Sequence, residues 1–322
     1  MTLESQLNLH PLIITMSSST GNDTAAGPSL TFLEDEHVEA SLFTRPSTPG
    51  DTIVRIKTPT LSSLGYLQKD QYVQTLISAK NVATIAKAAT GVRRVSLVWD
   101  GATEIRLIPL HGIDAEWKAM MDPQLEYHTT YPGYVTSRSG PKHSNETLEG
   151  FRADITNGHP PAMDLTCYSS PETSQNLFAK IIRGELEQWR VWESDSHVAF
   201  LTPFGSAPGK TVLVPRKHVD SDILSTPIED FESLAAATWD VVTVLMRSRL
   251  EPDRVGLIFE GMEIDWAHAK LIPVCGDVGE SPSEQPFVEK YTGAVSSQPG
   301  PTVAREDLEE MREKFLSASK LS

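Results

Sequence analysis

Basic residues are scarce in this sequence: 28 Lys and Arg face 43 Asp and Glu, a formal charge of -15. A surface of that sign repels a long polyanion, and no basic stripe interrupts it, so long nucleic acid is excluded as a partner. Cysteine is scarcer still. Cys167 and Cys275 stand far apart with no CxxC spacing, which gives neither a disulfide framework nor a zinc site and points to a reducing, intracellular, cytoplasmic setting. Long apolar runs are missing too. The best candidate, Leu7 to Met16, is broken by Asn8, His10 and Pro11, whereas a membrane span needs about 20 apolar residues. The expectation is a soluble chain with no membrane partner and no signal peptide. Glycine-rich phosphate loops are also absent, since the Pro-Gly turns at Pro49 and Pro208 each carry one glycine and no G-x-x-x-x-G-K pattern. No metal and no cofactor are indicated.

What is present is a unit written twice. Leu33-Glu-Asp-Glu-His37-Val38 is answered by Trp192-Glu-Ser-Asp-Ser-His197-Val198, and the Tyr131–Pro141 run by Tyr291–Pro301; His37 to His197 and Tyr131 to Tyr291 are both 160 apart. Thr48-Pro-Gly-Asp-Thr52 answers Ala207-Pro-Gly-Lys-Thr211, and Leu107-Ile-Pro109 answers Leu271-Ile-Pro273. Four matches in the same order predict a tandem duplication. The length of 322 residues then divides into a Ser/Thr/Gly-rich disordered tail at 1–28, a first domain at 29–155, a linker at 156–172 and a second domain at 173–322.

Each unit reads as a strand pair (Ser29–Phe43, Trp189–Leu201), a Pro-Gly turn, a strand (Thr52–Ile56, Thr211–Pro215), a long helix, two further strands and a closing helix. The first helix is predicted over about 70–89 with Gly91 as its C-cap. The second is predicted to open on a capping box, Thr226-Pro-Ile-Glu229, with Ile228, Phe231, Leu234, Ala235, Val242 and Leu245 recurring at helical spacing. The last strands are Val95–Trp99 and Val255–Phe259, each followed by one ending Leu-Ile-Pro, and the closing helices fall near 146–151 and 305–316. A few antiparallel strands around one long helix, twice over, make the fold class α+β.

The residues best suited to chemistry lie in Asp265-Trp-Ala-His268-Ala-Lys-Leu-Ile-Pro-Val274. Strand alternation puts Trp266, His268, Lys270 and Ile272 on one face, and Ala267, Ala269 and Leu271 on the other, where small side chains admit a helix. A neutral imidazole is a competent nucleophile toward phosphorus and a general base; a neighbouring ammonium helps keep it unprotonated and attracts anionic oxygens. A histidine on a half-buried strand is equally at home as a hydrogen-bonded structural residue.

Four blocks in order, Asn176–Glu185, Glu193–Leu201, Ala207–His218 and Trp266–Pro273, resemble the histidine triad (HIT) superfamily of nucleotide hydrolases and transferases. The resemblance covers about residues 176–301 and, through the duplication, about 29–155. It implies two HIT-like units associated as an intramolecular pseudo-dimer, and a nucleophilic histidine at the middle of an H-x-H-x-H strand, which falls on His268. The flanking histidines of that pattern are Trp266 and Lys270 here, a further family histidine is Lys210, and a polar ligand contact falls on Phe259. Trp266 has three roles open: stacking on a substrate, filling the pocket, or packing. Asp265, with Glu260 and Glu263, is placed to orient the imidazole or to sit in a solvated turn.

In the first unit Ala102, Glu104 and Arg106 align with Trp266, His268 and Lys270, so the nucleophile is lost there. Tyr131–Pro141 is expected beside the second unit's site. The reading is a nucleotide or phosphate-ester hydrolase or transferase using His268, with Lys270, Trp266, Lys210, Asp265 and Phe259 on a small anionic ligand such as a nucleotide or phosphate ester. The alternatives are a catalytically inactive nucleotide-binding or scaffold protein, and a pocket lined by Trp266 and Phe259 re-used for other small-molecule chemistry.

Overall fold

Short β-branched runs separated by Pro-Gly and Asp-Gly turns favour antiparallel pairing, and ten of them build one sheet in the computed structural model, which describes residues 29–61, 66–276 and 283–320. The tail expected at 1–28 lies outside the described residues. In chain order the elements are β1 (Thr31–Glu34), β2 (Val38–Leu42), β3 (Thr52–Ile56), α1 (Lys69–Thr90), β4 (Val95–Trp99), β5 (Glu104–Pro109) and α2 (Asn145–Ile155). Then follow α3 (Leu177–Ile182), β6 (Trp189–Glu193), β7 (His197–Leu201), β8 (Thr211–Pro215), α4 (Ile228–Met246), β9 (Arg254–Phe259), β10 (Ala269–Val274) and α5 (Arg305–Ser319). The fold is α+β, a mixture of helices and antiparallel sheet.

The strand order β1-β2-β3-β5-β4-β9-β10-β8-β7-β6 reads the same from both ends. At its centre β4 and β9 pair antiparallel with Val98 opposite Ile258, flanked by Leu97 opposite Phe259 and Trp99 opposite Leu257. Matching registers recur on either side: Thr52 lies opposite Leu107, and Thr211 opposite Leu271. Above the centre the two segments 135–137 and 295–297 also pair with each other, Ser137 N–H donating to Val295 O and Ser297 N–H to Val135 O, each at 2.9 Å.

One face of the sheet is covered by α1 and α4. Leu76, Ala79, Val82 and Ala83 of α1, with Leu234, Ala235, Val241 and Val242 of α4, are buried with Leu97, Leu107, Leu257, Ala269 and Leu271 from the strands. Alanines at helical spacing bring the backbones close, and the branched strand residues fill the layer between. Gly91 ends α1 at φ 70°, its N–H donating to Lys87 O at 2.9 Å, as the sequence predicted. The predicted capping box of α4 is not formed. Thr226 instead closes a 3-10 turn over Ile223–Ser225, its Oγ1 donating to Ile223 O at 2.8 Å, and Pro227 precedes the helix without a side-chain cap. The short helix α3 was not read from the sequence; Asn176 caps it, accepting from Phe178 N–H at 2.9 Å.

The other face is covered by α3 and by extended chain from 111–140 and 283–301. The segment expected as a linker is coil, but Arg216 donates to Asp164 O at 2.8 Å and to Thr166 O at 3.1 Å, which ties it to the outer strands. No described helix is long and apolar enough to cross a membrane.

Candidate functional site

His268 stands one residue before β10, and the chain leading to it is held from both sides: Trp266 Nε1 donates to Pro215 O at 3.1 Å, and Ala267 N–H to Val219 O at 2.8 Å. The His268 ring is 2 % exposed. Its Nδ1 lies 2.8 Å from Trp266 O; a carbonyl only accepts, so Nδ1 carries the proton and Nε2 carries the lone pair. Among the described residues Nε2 has no hydrogen-bond partner. The edge of the Phe178 ring sets the plane of the imidazole, with centroids 5.2 Å apart. Burial first, and Lys270 second, hold the His268 pKa below its ordinary value, so the ring is neutral at neutral pH.

His268 opens on a cavity of about 260 Å³. Its walls are apolar, from Phe178 and Ile181 of α3, Phe200, Val212 and Ile264; Lys210, Lys270, Glu187 and Glu263 join His268 as its charged or titratable lining. Leu177, Leu186 and Phe204 stand at its mouth, 45 %, 39 % and 47 % exposed. Ser137 and Ser139, from the segment expected to reach this site from the first half, complete the lining.

The two lysines are engaged by the protein. Lys270 Nζ lies 3.1 Å from Glu260 Oε2, 3.2 Å from Glu263 Oε2 and 3.3 Å from Ser137 O. Burial opposes its charge, but Glu260 and Glu263 outweigh burial and raise its pKa above the ordinary value. Burial likewise works against the Glu263 carboxylate, and Lys270 and His268 bring its pKa below the usual value. Glu260 is fixed in turn by Tyr291 Oη at 2.5 Å and Ser137 Oγ at 2.9 Å. Burial and Glu260 push the Tyr291 phenol pKa upward, so it stays a donor. Lys210 Nζ donates to Arg138 O at 2.8 Å, Ser206 Oγ at 2.9 Å and Thr136 O at 3.5 Å. Burial, helped by Lys270, pulls its pKa down to about 7.

The structure thus brings His268, Lys270 and Lys210 to one cavity and leaves three expected residues outside it. Trp266, 0 % exposed, packs with Phe178, Ala179, Ile182, Val198 and Val214 under α3, so the stacking role is closed to it. Phe259 points to the helix face, edge-on to Phe231 at 6.1 Å, because strand alternation in β9 turns it away from Ile258 and Glu260. Asp265 accepts from Ser221 Oγ at 2.6 Å and orients no imidazole through its carboxylate. A pocket lined by Trp266 and Phe259 is therefore excluded; the apolar walls come from Phe178, Phe200 and Ile264. Glu260, ten residues before Lys270 and named with Asp265 and Glu263 in the sequence, holds Lys270 and not the imidazole; Tyr291 and Ser137 lie farther off, and only the 160-residue recurrence of the Tyr131 and Tyr291 segments signalled them.

In the first half Arg106 takes the place of Lys270 and Asp51 that of Lys210, and the two form a buried ion pair. Arg106 also donates to Gln298 O at 2.8 Å and Ser297 O at 3.1 Å, as Lys270 does to Ser137 O. Glu104, in the place of His268, is exposed and pairs with Arg55 at 2.8 Å. Among the described residues no group of three His, Cys, Asp or Glu side chains converges to hold a metal.

No protein-family model matches the chain. An uncharacterized HIT-like protein of Mycoplasma genitalium is 24% identical over 106 residues, 31% of this chain and 74% of its own length. A crystal structure of a HIT-like protein involved in cell-cycle regulation from Bartonella henselae is 23% identical, spanning 45% of this chain and 96% of its own, with a TM-score of 0.29. Two Arabidopsis thaliana structures span most of the chain. A galt-like protein is 11% identical, covers 89% of both chains and has a TM-score of 0.44. An ADP-glucose phosphorylase with bound ADP-glucose is 10% identical, covers 91% of this chain and 87% of its own, and has a TM-score of 0.44.

Proposed function

We propose that this chain, a HIT-like protein, is a nucleotide or phosphate-ester hydrolase or transferase that uses His268 as its nucleophile. One observation carries the reading: a neutral imidazole with Nδ1–H anchored on Trp266 O and Nε2 unpartnered, lining a cavity shared with Lys210 and Lys270. In the first step the Nε2 lone pair forms a bond to phosphorus, and the bond from phosphorus to the leaving group breaks with its electron pair on the leaving group. A proton then neutralises that group, and Lys210, with a pKa of about 7, is the nearest match to neutral pH among the cavity cations. In the second step the oxygen of water or an acceptor hydroxyl bonds to phosphorus as the bond to Nε2 breaks with its electron pair on Nε2, and the hydroxyl proton passes to the Lys210 amine, which restores both groups. Lys270 adds positive charge beside the transition state, held in place by Glu260 and Glu263. The ligand is a small anion, a nucleotide or another phosphate ester, acted on in a reducing cytoplasmic compartment, where Cys167 and Cys275 stay free.

We read the architecture as an internal pseudo-dimer of two units, about 29–155 and 173–322, with one site retained. The two-fold pattern of strand order and registers supports this reading. So does the reach of Ser137 and Ser139 from the first half into the second half's cavity.

A second reading is favoured by the saturation of both lysines: each Nζ spends its donors on protein oxygens, and Lys270 is balanced by two carboxylates. On that reading the chain binds a nucleotide without turning it over. Turnover of ATP and of an adenosine phosphoramidate by the wild type and by His268→Ala, with binding measured by calorimetry, separates the two. Turnover lost in His268→Ala with binding retained supports nucleophilic catalysis; equal binding with no turnover in either protein supports the second reading.

A further inference from the structure

We propose that the chain carries a second small-molecule site on the helix side of the sheet, back to back with the His268 cavity. It takes a neutral, mainly apolar molecule bearing one hydroxyl-type group that bonds to His197. A cavity of about 200 Å³ lies there, between the start of α4 and the ends of β7 and β8, with Tyr168 at its rim. Its inner wall is apolar, from Val219, Ile223, Leu234 and Ala267. An apolar cavity of about 150 Å³ holds benzene in a well-studied lysozyme, so this one has room for a ring with a small substituent.

His197 is the polar group of that wall. It is 3 % exposed, Nδ1 lies 2.8 Å from Ser196 Oγ, and Nε2 has no partner among the described residues. His197 lines the cavity, and its unpartnered ring nitrogen is open to one hydrogen bond from an occupant there. The charges nearby argue for a neutral occupant. Lys217 Nζ is already paired with Asp230 Oδ1 at 2.5 Å. Burial, with Arg216 and Lys217, holds the His197 pKa down at about 4, so the ring is uncharged at neutral pH. An anion finds no free cation in this cavity; of its two carboxylates Asp230 is paired with Lys217, and Asp195 is exposed to solvent, away from the apolar wall. Tyr168, 63% exposed, comes from the segment pinned by Arg216 and offers an aromatic edge to whatever enters.

Phenol and toluene are the probes, titrated into the full chain with the methyl resonances of Val219, Ile223 and Leu234 followed by NMR. Both are expected to shift those methyls, and phenol to bind about fivefold or more tightly than toluene, the worth of one net hydrogen bond. His197→Phe is expected to abolish the preference for phenol. Ser233→Trp, at an exposed position of α4 on the cavity rim, is expected to block both probes and does not depend on His197→Phe folding. The proposal is overturned if neither probe moves these methyls at millimolar concentration, if phenol keeps its advantage in His197→Phe, or if Ser233→Trp binds both probes unchanged.

Discussion

Replacing Lys270 by Met removes a buried ammonium and leaves its partners behind. Lys270 is 7 % and Glu260 3 % exposed in their side chains, with Nζ 3.1 Å from the carboxylate. Removing one member of such a pair costs about 3–5 kcal/mol, most of it the penalty of an uncompensated buried charge. Two features put this case at the lower end. Glu260 keeps its bonds from Tyr291 and Ser137, and Glu263, 30 % exposed, regains water. A loss of about 3 kcal/mol is therefore expected. Adding Glu260→Gln neutralises the stranded carboxylate, so the double variant is expected to lose only about 1 kcal/mol, about 2 kcal/mol less than Lys270→Met alone. Urea unfolding at pH 7, followed by tryptophan fluorescence, measures the wild type, both single variants and the double variant, which closes the cycle. A deficit below about 1 kcal/mol for Lys270→Met, or additive losses in the double variant, would refute the buried network and with it the placement of Lys270.

Two further outcomes follow from the same geometry. Lys210 has a folded pKa of about 7 against an ordinary value of 10.5, so above pH 7 the folded chain sheds a proton that the unfolded chain keeps. Stability is then expected to rise from pH 7 to pH 9, by at most about 2 kcal/mol, and Lys210→Met to flatten that rise in paired urea titrations; an unchanged slope contradicts a buried, depressed amine. Gly261 sits at φ +73° just after Glu260, and a Cβ there would lie 1.9 Å from Ser221 O. Gly261→Ala is expected to cost about 3 kcal/mol or more and to lower the thermal midpoint measured by circular dichroism, since backbone on both sides must move; a variant within about 0.5 kcal/mol of wild type, the ordinary effect of a surface substitution, would show that the turn yields.

The elements legible in the sequence are those whose signal is local. Thr52–Ile56, Thr211–Pro215 and Val95–Trp99 are β-branched runs between turn residues, and they form strands with those bounds. Gly91 stops α1 because a left-handed residue is needed there. Alternation also placed His268 and Lys270 on one face and Ala267, Ala269 and Leu271 under the helix. Trp266 shares the face of His268 but not its cavity, because α3 covers it, and six residues are too short for a helical period to be read. Phe259 was assigned through family position against the alternation of its own strand, and the strand decided. Glu260 meets Lys270 through the pairing of β9 with β10, and Ser137 reaches it only when the two halves close on each other, a tertiary fact that no local pattern encodes.

The central claim is that His268 Nε2 bonds to phosphorus. Rapid alkaline quenching of the chain with adenosine phosphoramidate labelled in the adenosine moiety, followed by digestion and mass spectrometry under non-acidic conditions, tests it directly. The expected result is an acid-labile adenylyl group on the peptide containing His268, absent from His268→Ala. Substrate consumed at the same rate by His268→Ala, or an adduct mapped to any other residue, would contradict it.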